Sequence, residues 1–187
     1  MSSLTKGTYM YWKLSARLVL AYSLLFLTLL TASHEISIDG RLDDASWKQA
    51  VEYTKYYESL PFTLDEPKDF QKVLILEDEK GIYLGFVNEQ AKDTVRANKH
   101  ERDDEMANTD KAGLAIDFDG DGLAAYSFTV SASGSISDGI YRNENEVNYD
   151  WDADWKSAVF IDENFWYIEM FIPWTIAPMK SVEGEFR

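Results

Sequence analysis

The sequence predicts an all-β fold: an antiparallel β-sandwich, jelly-roll-like, with one short helix. About eight or nine short segments alternate apolar and polar residues, and turn-forming residues join them, among them Asp39-Gly40, Asp119-Gly120-Asp121-Gly122 and Asp162-Glu163-Asn164. From His34 to Arg187 the chain is long enough for one domain with a sizeable core, since about 150 residues bury roughly 68–70% of their unfolded surface. It has no cysteine, so burial rather than disulfides must hold it together.

Residues 1–33 are set apart from that fold. Lys6, Lys13 and Arg17 precede an uncharged apolar stretch from Leu18 to Leu30, and Thr31-Ala32-Ser33 places small residues where a signal peptidase cuts. This is the pattern of a secretory signal peptide. A membrane anchor is the alternative, but the apolar stretch falls short of the roughly 20 residues a spanning helix needs. The whole chain carries −15; removing the leader takes three of the 18 basic residues and none of the 33 acidic ones, which leaves −18. Such a charge repels phosphates and anionic membranes, so nucleic-acid binding is excluded, and neutral or cationic partners and divalent metals are favoured.

The elements follow in order. Glu35–Asp39 alternates as a strand up to the Asp39-Gly40 turn, and Asp43 is placed to cap a short helix over Asp44–Ala50 with Trp47 facing inward. Lys72–Leu76 and Ile82–Val87 form a hairpin across Glu77-Asp78-Glu79-Lys80-Gly81, and the second run is apolar on both faces, as expected of a strand in the middle of a sandwich. A polar stretch from Lys92 to Asp110 has little periodicity; loops of this length are often functional or mobile. Leu114, Ile116 and Phe118 alternate into the Asp119–Gly122 turn, and Tyr126, Phe128 and Val130 alternate back. Ser135–Tyr141, Trp155–Ile161 and Phe165–Ile172 are the remaining strands; a polar loop, Arg142–Asp150, precedes the second of these, and Pro173 ends the last.

Several segments together resemble family 9 carbohydrate-binding modules. Ile38-Asp39-Gly40-Arg41-Leu42-Asp43-Asp44-Ala45-Ser46-Trp47 is similar to the family's opening "I-D-G-x-L-D-x-x-x-W" run, and Asp78 to Val87 to its "D-x-x-x-L-Y-v-x-f" strand. Asp110 to Asp117 resembles "D-x-v-x-i-x-i-D", and Phe165 to Trp174 resembles "g-w-x-x-E-x-x-I-P-w". Ala125-Tyr126-Ser127-Phe128, Gly134 to Gly139 and Trp151-Asp152-Ala153-Asp154-Trp155 look like runs of a bacterial subgroup in which such a module precedes an outer-membrane barrel. The resemblance implies an exported protein, periplasmic, outer-membrane-associated or extracellular. Its partners would be a polysaccharide or glycan and a C-terminal barrel region. Over residues 34–187 the domain would lack its closing strand, because the chain reaches Gly184-Glu185-Phe186-Arg187 about where that strand would begin. The family holds a sugar between two tryptophans, but here the first position falls in Met106-Ala107-Asn108-Thr109, without an aromatic, and the second lies beyond Arg187.

The candidate sugar contacts are therefore argued from the residues themselves. Tryptophan offers a flat face for the C–H side of a pyranose, and neighbouring carboxylates accept hydroxyl hydrogen bonds. Trp151 and Asp152, with Tyr141 and Asn143 around the Arg142–Asp150 loop and Arg102 from the long polar loop, are the expected carbohydrate-binding residues. The competing readings are structural: Trp155 opens a core strand, Trp47, Trp166 and Trp174 occupy core positions, and Arg96 and Arg102 pair within their own loop. Asp117, Asp119 and Asp121 match the first half of a D-x-D-x-D-G calcium loop, so structural Ca2+ is the one cofactor expected. The twelfth position is Phe128 rather than glutamate, and an acidic hairpin tip accounts for the same residues. Catalysis is not expected, because no nucleophile or phosphate-binding motif is present and His34 and His100 are the only histidines. The expected function is a non-catalytic carbohydrate-binding module serving polysaccharide breakdown or uptake. The alternatives are a periplasmic plug or interaction domain of a barrel protein, and a haem-binding relative of the same fold using Met106.

Overall fold

The computed structural model describes residues 36–59, 61–104, 106–142 and 146–178, so the expected signal peptide lies outside the described residues. Among them the strands are, in chain order, β1 (Val51–Tyr53), β2 (Gln71–Glu77), β3 (Gly81–Glu89), β4 (Lys111–Ile116), β5 (Ala124–Ser131), β6 (Ile136–Arg142), β7 (Glu146–Asn148), β8 (Lys156–Ile161) and β9 (Phe165–Pro173). They form two antiparallel sheets, a five-stranded one in the order β1-β2-β3-β9-β8 and a four-stranded one in the order β4-β5-β6-β7. The fold is the expected all-β sandwich. The four-stranded sheet is a run of consecutive hairpins inserted between β3 and β8.

Period-two alternation places the core. Phe86 lies opposite Ile168 and Leu84 opposite Met170 in one sheet, while Leu114 lies opposite Phe128 and Ile116 opposite Tyr126 in the other. Leu84, Phe86, Phe128, Val130, Trp155, Trp166, Ile168, Met170 and Ile172 are buried between them. Each large side chain removed from water there contributes about 1.5–3 kcal/mol.

The second apolar face of β3 meets residues 36–47. Tyr83, Leu74 and Leu76 point away from the main core and pack with Trp47, Leu42, Ile36 and Ile38 in a smaller one. Gly85 permits this approach, because a Cβ there would sit 2.5 Å from a Leu42 methyl. β3 is thus the middle strand of its sheet and buried on both sides, the second side under a covering segment.

That segment is tied down by Glu169, which is fully buried on β9. Its Oε2 accepts the Asp39 and Gly40 amides, both at 2.8 Å, and its Oε1 accepts the Trp47 indole N–H at 3.0 Å. Burial raises the carboxyl above its ordinary value, and the three N–H donors work against that rise. Gly40 has a φ of +89°, and a Cβ on it would meet the Val159 carbonyl carbon at 2.6 Å, so glycine is required for this close turn.

The departures from the sequence reading have local causes. Of the expected strand Glu35–Asp39, the described residues 36–39 form none: the Ser37 amide donates to the Asp44 carboxylate at 2.8 Å and the Asp39 amide to Glu169, which leaves no ladder to join. The predicted helix over Asp44–Ala50 is a 3-10 helix, Ala45–Gln49, and Asp43 does not cap it; Asp44 flanks it, and its side chain is spent on Ser37. β1 and β7 are three residues each, too short to show an alternation. Pro173 closes β9, as expected.

Glu169→Gln is expected to lower stability by about 2 kcal/mol, because its amide group sets an N–H against N–H donors in a dry site. In a domain of this size that is a fall in Tm of roughly 4–8 °C with an unchanged far-UV spectrum. A melting curve identical to that of the parent protein would show that the covering segment does not depend on this carboxylate.

Candidate functional site

Two loops converge on the inner side of β6, and another buried carboxylate joins them. Asp138 has no exposed surface. Its Oδ2 accepts the Ala153 amide at 2.7 Å, its Oδ1 accepts the Arg102 guanidinium, and its own amide donates to Asp103 Oδ1 at 2.9 Å. Arg102 also donates to Asp152 Oδ1 at 2.8 Å and to the Ala153 carbonyl at 3.3 Å. Burial raises the Asp138 carboxyl above its usual value, while the Ala153 amide and the Arg102 charge lower it in part. The base of the long polar loop is held by Asp110, which accepts the Arg96 amide and the Gln90 side chain, each at 2.9 Å, together with the Arg96 guanidinium. These ties fix a stretch in which the sequence shows no periodicity.

With Ala153 held, its flanking tryptophans turn into the sandwich. Trp155 is buried, with its ring 5.5 Å from Phe128. Trp151 is half-buried, edge-on to Tyr126 at 4.9 Å and to Phe128 at 6.0 Å. Asp152, Asp154 and Lys156, the residues between and after them, are exposed. The alternation opens a cleft of about 450 Å³ where β8 begins and β9 ends. Trp151, Phe171, Pro173 and Ile176 give it apolar walls, and Asp152, Asp154, Lys156 and Thr175 give it polar ones. An amphiphilic cleft of this size can hold a small polar molecule that has one apolar face.

The expected sugar-binding residues are divided by this geometry. Trp151 and Asp152 line the cleft, and Arg102 stands behind it, committed to Asp138 and Asp152. Tyr141 lies on the opposite face of β6 from Asp138, since it is an odd number of residues away along the strand, and pairs with Ala125 and Val147. Asn143 lies outside the described residues. Phe171, Thr175 and Lys156 were missed; the outward parity of Phe171 on β9 was the available signal. Met106 stands out in solvent, away from the cleft.

At the hairpin tip, Asp117 accepts the amides of Asp119, Gly120 and Gly122 at 2.7–3.1 Å, and Asp121 accepts that of Leu123 at 3.0 Å. These are the bonds of an acidic turn. Among the described residues, the carboxylates close enough to share one cation are instead Asp103, Asp138 and Asp152. The guanidinium of Arg102 contacts all three and already supplies the positive charge there.

No protein-family model matches the chain, and no curated protein sequence matches it either. Among solved structures it is similar to that of a candidate carbohydrate-binding protein from Bacteroides uniformis, with 14% identity and a TM-score of 0.55 over 78% of this chain and 69% of the other. At that identity the likeness is one of fold alone, a two-sheet β domain.

Replacing Arg102 by methionine strands Asp138 in the core without its counter-charge. A loss of about 2 kcal/mol at neutral pH is expected, below the roughly 3–5 kcal/mol of a fully buried pair because Arg102 is partly solvated. The deficit should shrink as the pH falls from neutral towards the ordinary aspartate value. A carboxyl with a raised folded pKa destabilises as pH rises through that window, and loss of Arg102 raises it further. Urea unfolding of both proteins between pH 7 and pH 4 measures this; a pH-independent difference would remove Asp138 from the account.

Proposed function

We propose that this chain is a non-catalytic glycan-binding domain of an exported protein, akin to the family 9 carbohydrate-binding modules its motifs resemble, and that it serves polysaccharide breakdown or uptake at the periplasm or outer membrane. The observation that carries the proposal is the cleft between Trp151 and Ile176, half apolar and half polar, on a fold shared with a candidate carbohydrate-binding protein. In this reading a pyranose lays its C–H face against Phe171, Pro173 and the edge of Trp151. Its hydroxyls donate to Asp152 and Asp154 and accept from Lys156. Contacts of this kind give affinities of order 10⁻³ to 10⁻⁶ M, about −4 to −8 kcal/mol.

A second reading, an interaction domain for an attached barrel or another protein, draws support from the inward turn of Trp155 and from apolar residues left exposed on β1 and β2. Titration with mono- and oligosaccharides, followed by tryptophan fluorescence, separates the two. The expected result is saturation with one sugar class, at least tenfold weaker in Trp151→Ala and in Asp154→Ala. A flat response from the folded protein would leave the interaction domain standing.

Structural calcium at Asp117, Asp119 and Asp121 belongs to the same proposal. Its expected signature is a Tm that rises in millimolar calcium and no longer does so in Asp119→Ala plus Asp121→Ala. A Tm indifferent to calcium would leave the tip as an acidic turn.

A further inference from the structure

The cleft at the start of β8 carries a charge pattern that selects among saccharides. Its lining holds two carboxylates, Asp152 and Asp154, against one ammonium, Lys156. The three are exposed and alternate with Trp151, Ala153 and Trp155, which turn towards the sandwich, so they lie together in the polar wall.

The guanidinium behind that wall is already shared. Arg102 stands 3.6 Å from an Asp103 oxygen and 2.8 Å from Asp152 Oδ1, and it also pairs with the buried Asp138. One positive charge thus serves three carboxylates. Asp154 has no ion pair among the described residues, and neither has Lys156. The Lys156 ammonium is a single hydrated charge on a flexible stem, so it offsets one carboxylate at most. The wall keeps a surplus of negative charge, and the net charge of −15 on the chain adds a field of the same sign.

This surplus sorts sugars that the apolar wall treats alike. A uronate brings a further anion to the carboxylates and is opposed. A neutral hexose offers them hydroxyl donors alone. A hexosamine with a free amine keeps the same pyranose C–H face but has an ammonium in place of one hydroxyl. An amine beside electron-withdrawing carbons titrates, like an α-amino group, at about 8, so it is charged at neutral pH and below. Its hydrogen bond to a carboxylate is then charge-assisted. Between exposed groups such a pair strengthens binding roughly two- to fivefold.

We propose that the cleft prefers hexosamines bearing a free, protonated amine to neutral hexoses, and neutral hexoses to uronates, with Asp154 as the counter-charge of the amine. Asp152, tied to Arg102, is the secondary contact. This inference rests on the glycan reading of the cleft.

The test is a fluorescence titration of the full chain with matched sugars of the gluco and galacto series: amine, N-acetylated amine, neutral hexose and uronate. At about pH 6.5 and low salt, the amine should bind roughly threefold or more tighter than the hexose. The N-acetylated amine, which is uncharged, should lose that advantage, and the uronate should bind at least about threefold more weakly than the hexose. The preference should disappear near pH 9, where the amine is neutral, and shrink in about 0.5 M salt. Asp154→Asn should bring the ratio of amine to hexose affinity to about one, whatever it does to either affinity alone. The proposal is overturned if amine and hexose bind alike, if the uronate binds best, or if the ratio survives in Asp154→Asn. Saturation without a charge preference removes this inference and leaves the glycan reading standing. If no sugar of either series saturates the folded protein, both fall.

Discussion

The bonds to Glu169 hold the outer layer of the five-stranded sheet, because a carboxylate buried on β9 must find donors and finds them in the Asp39-Gly40 turn and Trp47. Two backbone amides and the Trp47 indole converge on its two oxygens. That convergence fixes the Asp39-Gly40 turn against β8, seats Trp47 over Gly85, and so closes the smaller core over Leu74, Leu76 and Tyr83. Without it the outer face of β3 would be an exposed apolar surface. The "I-D-G" and "E-x-x-I-P" runs are 130 residues apart in sequence and are two halves of one hydrogen-bonded joint.

Asp138 repeats the arrangement on the other sheet, with a different outcome. It holds the Ala153 amide and the Arg102 guanidinium, and thereby turns Trp151 and Trp155 inward around Phe128. The "G-x-x-x-D-g" and "W-D-a-x-W" runs are thus linked by a direct bond between Asp138 and Ala153. Both tryptophans serve the core first. Trp151 remains half-buried and Asp152 and Asp154 are exposed, and these shape the mouth of the cleft.

Two surfaces of different chemistry result. The cleft at the start of β8 mixes carboxylates, a lysine and apolar walls, which suits a hydroxyl-rich ligand. On β1 and β2, by contrast, Val51, Tyr53 and Ile75 are apolar and exposed.

The residues by themselves determined the strands of the main core, because alternation of large apolar side chains at period two has one economical burial, as in Leu84 and Phe86 against Ile168 and Met170. They also determined the hairpin turns, the structural roles of Trp47 and Trp166, and the acidic character of the chain. They did not reveal β1 or β7, which are too short for a pattern, nor the loss of the first strand, because the carboxylates that claim its amides lie 7 and 130 residues away. The cleft was legible only in Trp151 and Asp152. Its other wall comes from Phe171 to Ile176, and Tyr141, near in sequence, lies on the far face of its strand. Only the tertiary structure decided these points, because a side chain's face and the destination of a buried carboxylate depend on which distant strand becomes its neighbour.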